Sequence, residues 1–252
     1  MAGGLRVTWI GHATLLIELD GLRILTDPVL GARVGPLRRL GPTPDPGALG
    51  PIDAVLISHA HPDHFDRASL KRLAGGPLLV VPRGLGPAAA VPGRPIREVA
   101  ANEQLDLGGL RIRALPARHG RWPLRPAARP IGYLIEGSTS VYFAGDTALY
   151  PEMARLAGHV DVALLPVGRW GPPRGPERLD PATAVDAARL VGARTAIPIH
   201  WGTLHVPGFA AGRWGWGSLD AGEAFAREAR ARAEQLDVRV LRPGESTDLE
   251  PD

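Results

Sequence analysis

The chain has 252 residues, 44% of them hydrophobic, and 29 Lys and Arg against 26 Asp and Glu leave a formal net charge of only +3. That balance fits a folded globular enzyme rather than a disordered chain, and the absence of cysteine excludes disulfides, thiolate metal sites and a cysteine nucleophile. Lys71 is the sole lysine and no run of five basic residues occurs, so no nucleic-acid partner is expected.

Leu5 and Val7 alternate with polar neighbours and lead into Trp9 and Ile10, which predicts a first strand. Thr14–Leu19 and Leu22–Leu25 flank Asp20-Gly21, a hairpin signal, and the third run ends at Thr26-Asp27-Pro28. Residues 29–52 are rich in Gly, Pro and Arg and read as a long loop, either a surface segment or a wall of the substrate cleft. The apolar run Ala54–Ile57 reads as a buried strand, Arg67–Ala74 as a short helix, and Leu78–Val81 and Leu110–Leu115 as strands. Ile131–Ile135 and Val141–Ala144 form a strand pair, followed by a buried strand at Val162–Val167.

Asp180-Pro181 marks a helix start with apolar face Ala184, Val185, Ala188 and Val191. Thr195–Ile199 is a strand ending at His200. Asp220 and Glu223 resemble a capping box before a last helix carrying Phe225, Ala229, Ala233 and Leu236. Val238–Leu241 closes the fold, and the acidic tail after Ser246 is expected to fray. Early strands followed by alternating strands and helices predict two packed sheets with helices outside, as one domain over residues 1–252. The apolar runs are strand-sized rather than membrane-spanning, and no signal segment is evident, so the expected compartment is the cytoplasm.

The most informative stretch is residues 58–66, Ser-His-Ala-His-Pro-Asp-His-Phe-Asp, where His59, His61, Asp63 and His64 fall within six positions directly after a predicted strand. Neutral imidazole is the commonest metal ligand. On an extended chain His59 and His61 share a side, while Asp63 and His64 follow the turn at Pro62, so two neighbouring metal sites are expected. His119, Asp146 and His200 each stand at the end of a further predicted strand, where loops can build a site at one sheet edge.

This order of motifs resembles the metallo-β-lactamase superfamily: His59-x-His61-x-Asp63-His64, then His119, Asp146 in Phe-Ala-Gly-Asp-Thr, and His200 in Ile-Pro-Ile-His-Trp-Gly-Thr. The resemblance implies an α/β fold, a four-layer αββα sandwich with a binuclear site at one edge. It implies that His59, His61 and His119 hold a first metal, that Asp63, His64 and His200 hold a second, and that Asp146 bridges them. An aspartate at the bridging position resembles the glyoxalase, lactonase and phosphodiesterase types rather than the antibiotic-degrading branch. Trp9-Ile10-Gly11-His12-Ala13-Thr14 and Leu25-Thr26-Asp27-Pro28 resemble the branch containing N-acyl-phosphatidylethanolamine phospholipase D, of which the ascorbate phosphate lactonases are close relatives.

Two divalent ions, Zn with Mn or Fe also suiting this ligand set, could share a bridging hydroxide. The expected enzyme is a hydrolase of a phosphodiester or phosphate ester, small or lipid-like. A lactone or carboxylic ester is the alternative, and a metal-binding module without catalysis is a third reading; a homo-oligomer is allowed. Asp63, His12 and Asp27 are the expected catalytic residues. His12 would touch substrate, orient a ligand or serve as a hydrogen-bonded core histidine, and Asp27 would orient a ligand or shape an Asx-type turn.

His205 is read as a residue of a Gly-rich loop near the site that could touch substrate, though a plain loop role is favoured, and His159 as a solvated helix cap. Trp122, Trp170, Trp201, Trp214 and Trp216 fall in predicted loops, lining a pocket or packing the loops down. Arg33, Arg38, Arg39, Arg118 and Arg121 could bind phosphate, but in a chain this rich in arginine each is read as solvated surface.

Overall fold

A computed structural model describes residues 4–120, 128–168, 178–207 and 219–250. The chain opens on a meander of β1 (Leu5–Gly11), β2 (Thr14–Leu19) and β3 (Leu22–Thr26). Asp20 and Gly21 both adopt positive φ, the geometry of a tight hairpin turn. Short strands β4 (Arg33–Val34) and β5 (Leu37–Arg39) precede β6 (Ala54–Leu56), α1 (Arg67–Arg72), β7 (Leu78–Pro82), α2 (Gly86–Ala89) and β8 (Ile96–Val99). Then follow β9 (Gln104–Leu107), β10 (Leu110–Pro116), β11 (Ile131–Glu136), β12 (Ser140–Phe143) and β13 (Val162–Pro166). The chain closes with α3 (Pro181–Val191), β14 (Thr195–Ile199), β15 (Leu204–His205), α4 (Ala221–Arg232), β16 (Asp237–Val238) and β17 (Ser246–Leu249).

Two mixed sheets form the centre. One runs β17-β1-β2-β3-β6-β7-β8 and the other β16-β14-β13-β12-β11-β10-β9. Each has an antiparallel half and a parallel half, the parallel pairs being β3–β6, β6–β7 and β7–β8 in one and β12–β13, β13–β14 and β14–β16 in the other. Their inner faces meet in a core that includes Val7, Trp9, Leu15 and Ile17 from the first sheet and Ile112, Tyr133, Phe143 and Leu164 from the second. Successive strand residues point to opposite faces, so the same strands carry a second apolar set outward. Leu134, Tyr142 and Leu165 pack on Val185, Ala188 and Phe225 of α3 and α4. Leu25, Val55 and Leu79 pack on Leu70 of α1 and on Leu85 and Ala89 at α2. The architecture is a four-layer αββα sandwich.

Several expectations need correction. Residues 29–52 are not strandless: β4 and β5 pair within them, and β15 joins β5 to complete a three-stranded sheet. Strands of two or three residues are too short for an alternation pattern to show. His205, read as a loop residue, lies in β15. Over Ser246–Leu249 the tail does not fray, because β17 pairs along β1 from Leu5↔Leu249 to Thr8↔Ser246. Asp180 and Thr183 form the reciprocal cap of α3, but Asp220 makes no side-chain cap bond to α4. Its backbone, at ψ 10°, is out of the extended conformation a cap residue needs. Ala233 and Leu236 lie past the end of α4 yet still pack on the same core. His159 is exposed just past a 3-10 turn at Pro151–Leu156 rather than at an α-helix end. No helix among the described residues is long and apolar enough to cross a membrane.

Candidate metal centre

β3 runs into Asp27, β6 towards His59, β10 towards His119, β12 into Asp146 and β14 into His200, so strands of both sheets deliver these side chains to one edge. With the motif at 59–64 and His12 they gather into two main clusters, and Asp27 forms a third group with His59 and His64, which belong to the other two. His59, His61, His119 and Asp146 place one ligand atom each within 4.8 Å of one another, as do His12, Asp63, His64 and His200. In the first, His61 Nδ1 lies 2.9 Å from His59 Nε2 and 3.1 Å from His119 Nε2. In the second, His64 Nε2 lies 3.1 Å from His200 Nε2. Asp146 stands between them: Oδ2 is 3.5 Å from His119 Nε2, while Oδ1 is 3.2 Å from His200 Nε2 and 3.5 Å from His64 Nε2.

The donor set suits a divalent cation. Asp146 Oδ1 is buried and accepts no hydrogen bond. Burial, reinforced by neighbouring imidazoles, holds His59 well below the ordinary histidine range and lowers His61 to about 4, so their lone pairs stay available. Burial also opposes charge on His64, yet Asp146, Asp63 and Asp27 together push it up to about 9. Negative charge that retains a proton there would equally retain a metal ion. Asp63 and Asp146 are pulled well below the carboxylate range against the cost of burial, Asp63 chiefly by His64 and Asp146 chiefly by His200.

A buried relay orients a ligand in each cluster. Asp27 Oδ1 accepts from the Ser58 amide at 2.7 Å, and Oδ2 accepts from Ser58 Oγ at 2.5 Å and from His64 Nδ1 at 2.7 Å. With its proton committed to Asp27, Ser58 Oγ accepts from His59 Nδ1 at 2.9 Å. One carboxylate thereby turns the Nε2 lone pairs of both His59 and His64 towards the clusters. Nothing in the spacing singles out Ser58; its one sequence signal is its place between the strand and the histidine motif. Asp66 of the same motif caps α1, accepting from the Ala68 and Ser69 amides.

His12, Asp27 and His200 all adopt positive φ, at 58°, 32° and 63°. Such conformations persist only where the surroundings enforce them. Here the His12 amide donates to Thr203 Oγ1, the His200 amide donates to His12 O, and Thr14 Oγ1 donates to Asp27 O. Backbones also meet closely at this edge, between the two sheets at Gly145 and between neighbouring strands of one sheet at Gly168. A Cβ on Gly145 would lie 2.7 Å from Ser58 Cβ, and one on Gly168 would lie 1.9 Å from His200 O, so only glycine lets these backbones meet.

His12 is fully buried, with Nε2 3.1 Å from Asp63 Oδ2, so it stands behind Asp63 rather than at the surface. Asp63 keeps 14% of its side-chain surface exposed and marks the open side. Trp201 stacks on Trp9 at 5.2 Å and packs its loop down. Trp122, Trp170, Trp214, Trp216 and Arg121 lie outside the described residues. Arg118 pairs with Glu152 on the surface, whereas Arg39, expected to be solvated, is buried and donates to Val29 O and Gly31 O. Its two backbone acceptors explain how a buried guanidinium is tolerated.

A family profile described as "Beta-lactamase superfamily domain" matches residues 22–201. The chain belongs to the metallo-β-lactamase superfamily. A UPF0173 metal-dependent hydrolase from Methanopyrus kandleri is 30% identical over 96% of this chain and 99% of its own. One from Opitutus terrae is 33% identical over 97% of this chain and all of its own. Among solved structures, Igni18, a metallo hydrolase from Ignicoccus hospitalis, matches with TM-score 0.75 and 25% identity over 98% of this chain and 99% of that one. The protein is accordingly a metal-dependent hydrolase, and its His and Asp clusters are able to bind metal.

The metallo-β-lactamase site makes the metal-free protein acid-sensitive. Burial lowers His12 to about 3 and His61 to about 4 from an ordinary 6.5, and lowers His59 as well. Below 6.5 the unfolded chain takes up these protons first, so this stability is complete above 6.5 and drains as pH falls towards 4. His64 has the opposite sign: its contribution is complete below 6.5 and lost as pH rises through about 9. Thermal melts of chelator-treated protein should peak near neutrality and fall more steeply on the acid side. A Tm that stays flat between pH 7 and 4 would refute these assignments.

Proposed function

We propose that this chain is a binuclear hydrolase of phosphodiesters or related phosphate esters. The supporting observation is Asp146, whose two carboxylate oxygens face different clusters. In this reading His59, His61 and His119 hold one cation, Asp63, His64 and His200 hold the other, and Asp146 binds both. Zn suits these nitrogen and oxygen ligands, as do Mn and Fe. Two such ions would acidify a water and neutralise charge developing on the attacked group.

The remaining work falls to the protein. Asp63, on the open side, takes the proton of the attacking water and passes it to the departing alkoxide as the phosphorus–oxygen bond breaks. His12 donates from Nε2 to Asp63 Oδ2 and fixes that carboxylate. Asp27, through Ser58, fixes the rings of His59 and His64. The phosphoester preference rests on the likeness of Trp9–Thr14 and Leu25–Pro28 to the phospholipase D branch.

The test is an activity screen of metal-reconstituted protein with bis(4-nitrophenyl) phosphate against a panel of lactones. The expected result is two transition-metal ions per chain and turnover of the phosphodiester. Turnover of lactones alone would reject the phosphoester reading, and less than one tightly bound ion would reject the binuclear one.

A further inference from the structure

The main sheets set exposed or half-buried arginines opposite acids. Arg6 faces Glu18 on one side and Asp248 on the other, Arg23 faces Glu18, and Arg111 faces Glu136 and Asp106. The three-stranded sheet does the reverse. In its register Arg33 faces Arg38, and Arg38 faces His205. Like charges directly opposite destabilise a sheet. Arg33 and Arg38 are exposed and His205 is half-buried, while Val34, Arg39 and Leu204 are buried, so the three basic groups share the outer face. No acidic residue occurs at 28–44 or 201–219 to neutralise them. Among the described residues, none of the three has an ion-pair partner.

The strip borders the metal centre. Gly35, between β4 and β5, abuts the metal-binding loop, since a Cβ there would lie 3.9 Å from Pro62 Cβ. β15 follows directly on the loop after His200. The Leu40 amide donates to Thr203 O, and Thr203 Oγ1 accepts from the His12 amide, so the small sheet is tied to the second cluster. Two guanidinium forks and an imidazole present the planar donors that match phosphate oxygens.

We propose that Arg33, Arg38 and His205 form a binding site for a phosphate monoester group, carried by the substrate beside the bond that is cleaved. The role in substrate binding rests on the hydrolase reading; the anion site itself does not.

The test titrates zinc-loaded protein with inorganic phosphate at constant ionic strength and follows the His205 ring and the Arg33 and Arg38 Nε–H signals by NMR. The expected result is a saturable shift whose affinity falls about tenfold, or 1.4 kcal/mol, in Arg38→Ala and less in Arg38→Lys. Vesicles containing phosphatidic acid that shift the same signals, where pure phosphatidylcholine vesicles do not, would support the site with a lipid-borne phosphate. Absence of saturation, equal binding of acetate, or unchanged affinity in Arg38→Ala would overturn the proposal. Turnover plays no part in these signals, so a protein that binds phosphate here and hydrolyses nothing would sink the hydrolase reading alone.

Discussion

Replacing Asp146 by alanine should strip metal from both clusters and abolish hydrolysis. Its two oxygens face His119 on one side and His64 and His200 on the other. The mutation removes a buried negative charge from a site otherwise dominated by imidazoles. Loss of a partner that merely orients a ligand costs about 10–100-fold in metal affinity or activity, so loss of a shared ligand should cost at least the upper end of that range. Metal analysis after gel filtration should show well under one ion per chain in Asp146→Ala. The variant should still fold, because burial keeps His59 and His61 neutral and His64 retains Asp63 and Asp27 beside it. Retention of two ions per chain would remove Asp146 from the bridging role.

Asp63→Asn should lower the rate and loosen the second ion while leaving the first in place. Asparagine preserves the shape and still accepts from His12 Nε2, but it cannot hold a proton at this position. A positioned general base contributes about 10²–10⁴-fold, so kcat should fall by that order while KM changes little. The ion held by His59, His61 and His119 should remain, because Asp63 belongs to the other cluster. Unchanged kcat at full metal occupancy would show that Asp63 carries no proton. If both ions are lost, Asp63 is a structural ligand first, and the rate loss says nothing about proton transfer.

Much of the candidate site was legible because metal ligation demands particular side chains at close spacing. His59, His61, Asp63 and His64 are local in sequence, so their chemistry could be read directly. His119, Asp146 and His200 could be found because each follows an apolar run that had to be a buried strand. The sandwich followed from the same runs, since strands apolar on both faces need a partner sheet on one side and helices on the other. Composition alone had already removed cysteine chemistry.

What escaped the sequence depends on contacts between distant segments. Ser58 carries no distinguishing spacing; its role exists only because Asp27, from another strand, lies 2.5 Å from its hydroxyl. His12 was ambiguous because burial decides whether a histidine meets solvent, and burial is a property of the whole packing. The strands of the small sheet hold two or three residues each, too few for periodicity, and they exist because β15 arrives from far along the chain to pair with β5. The tail became a strand for the same reason, with β1 presenting an open edge to it. Which residue types could bind metal was therefore written in the sequence. So was the split of His59 and His61 from Asp63 and His64; the placing of His119, Asp146 and His200 against them, and the alignment of three basic groups beside them, came from long-range strand register, which is set by the burial of both sheets at once.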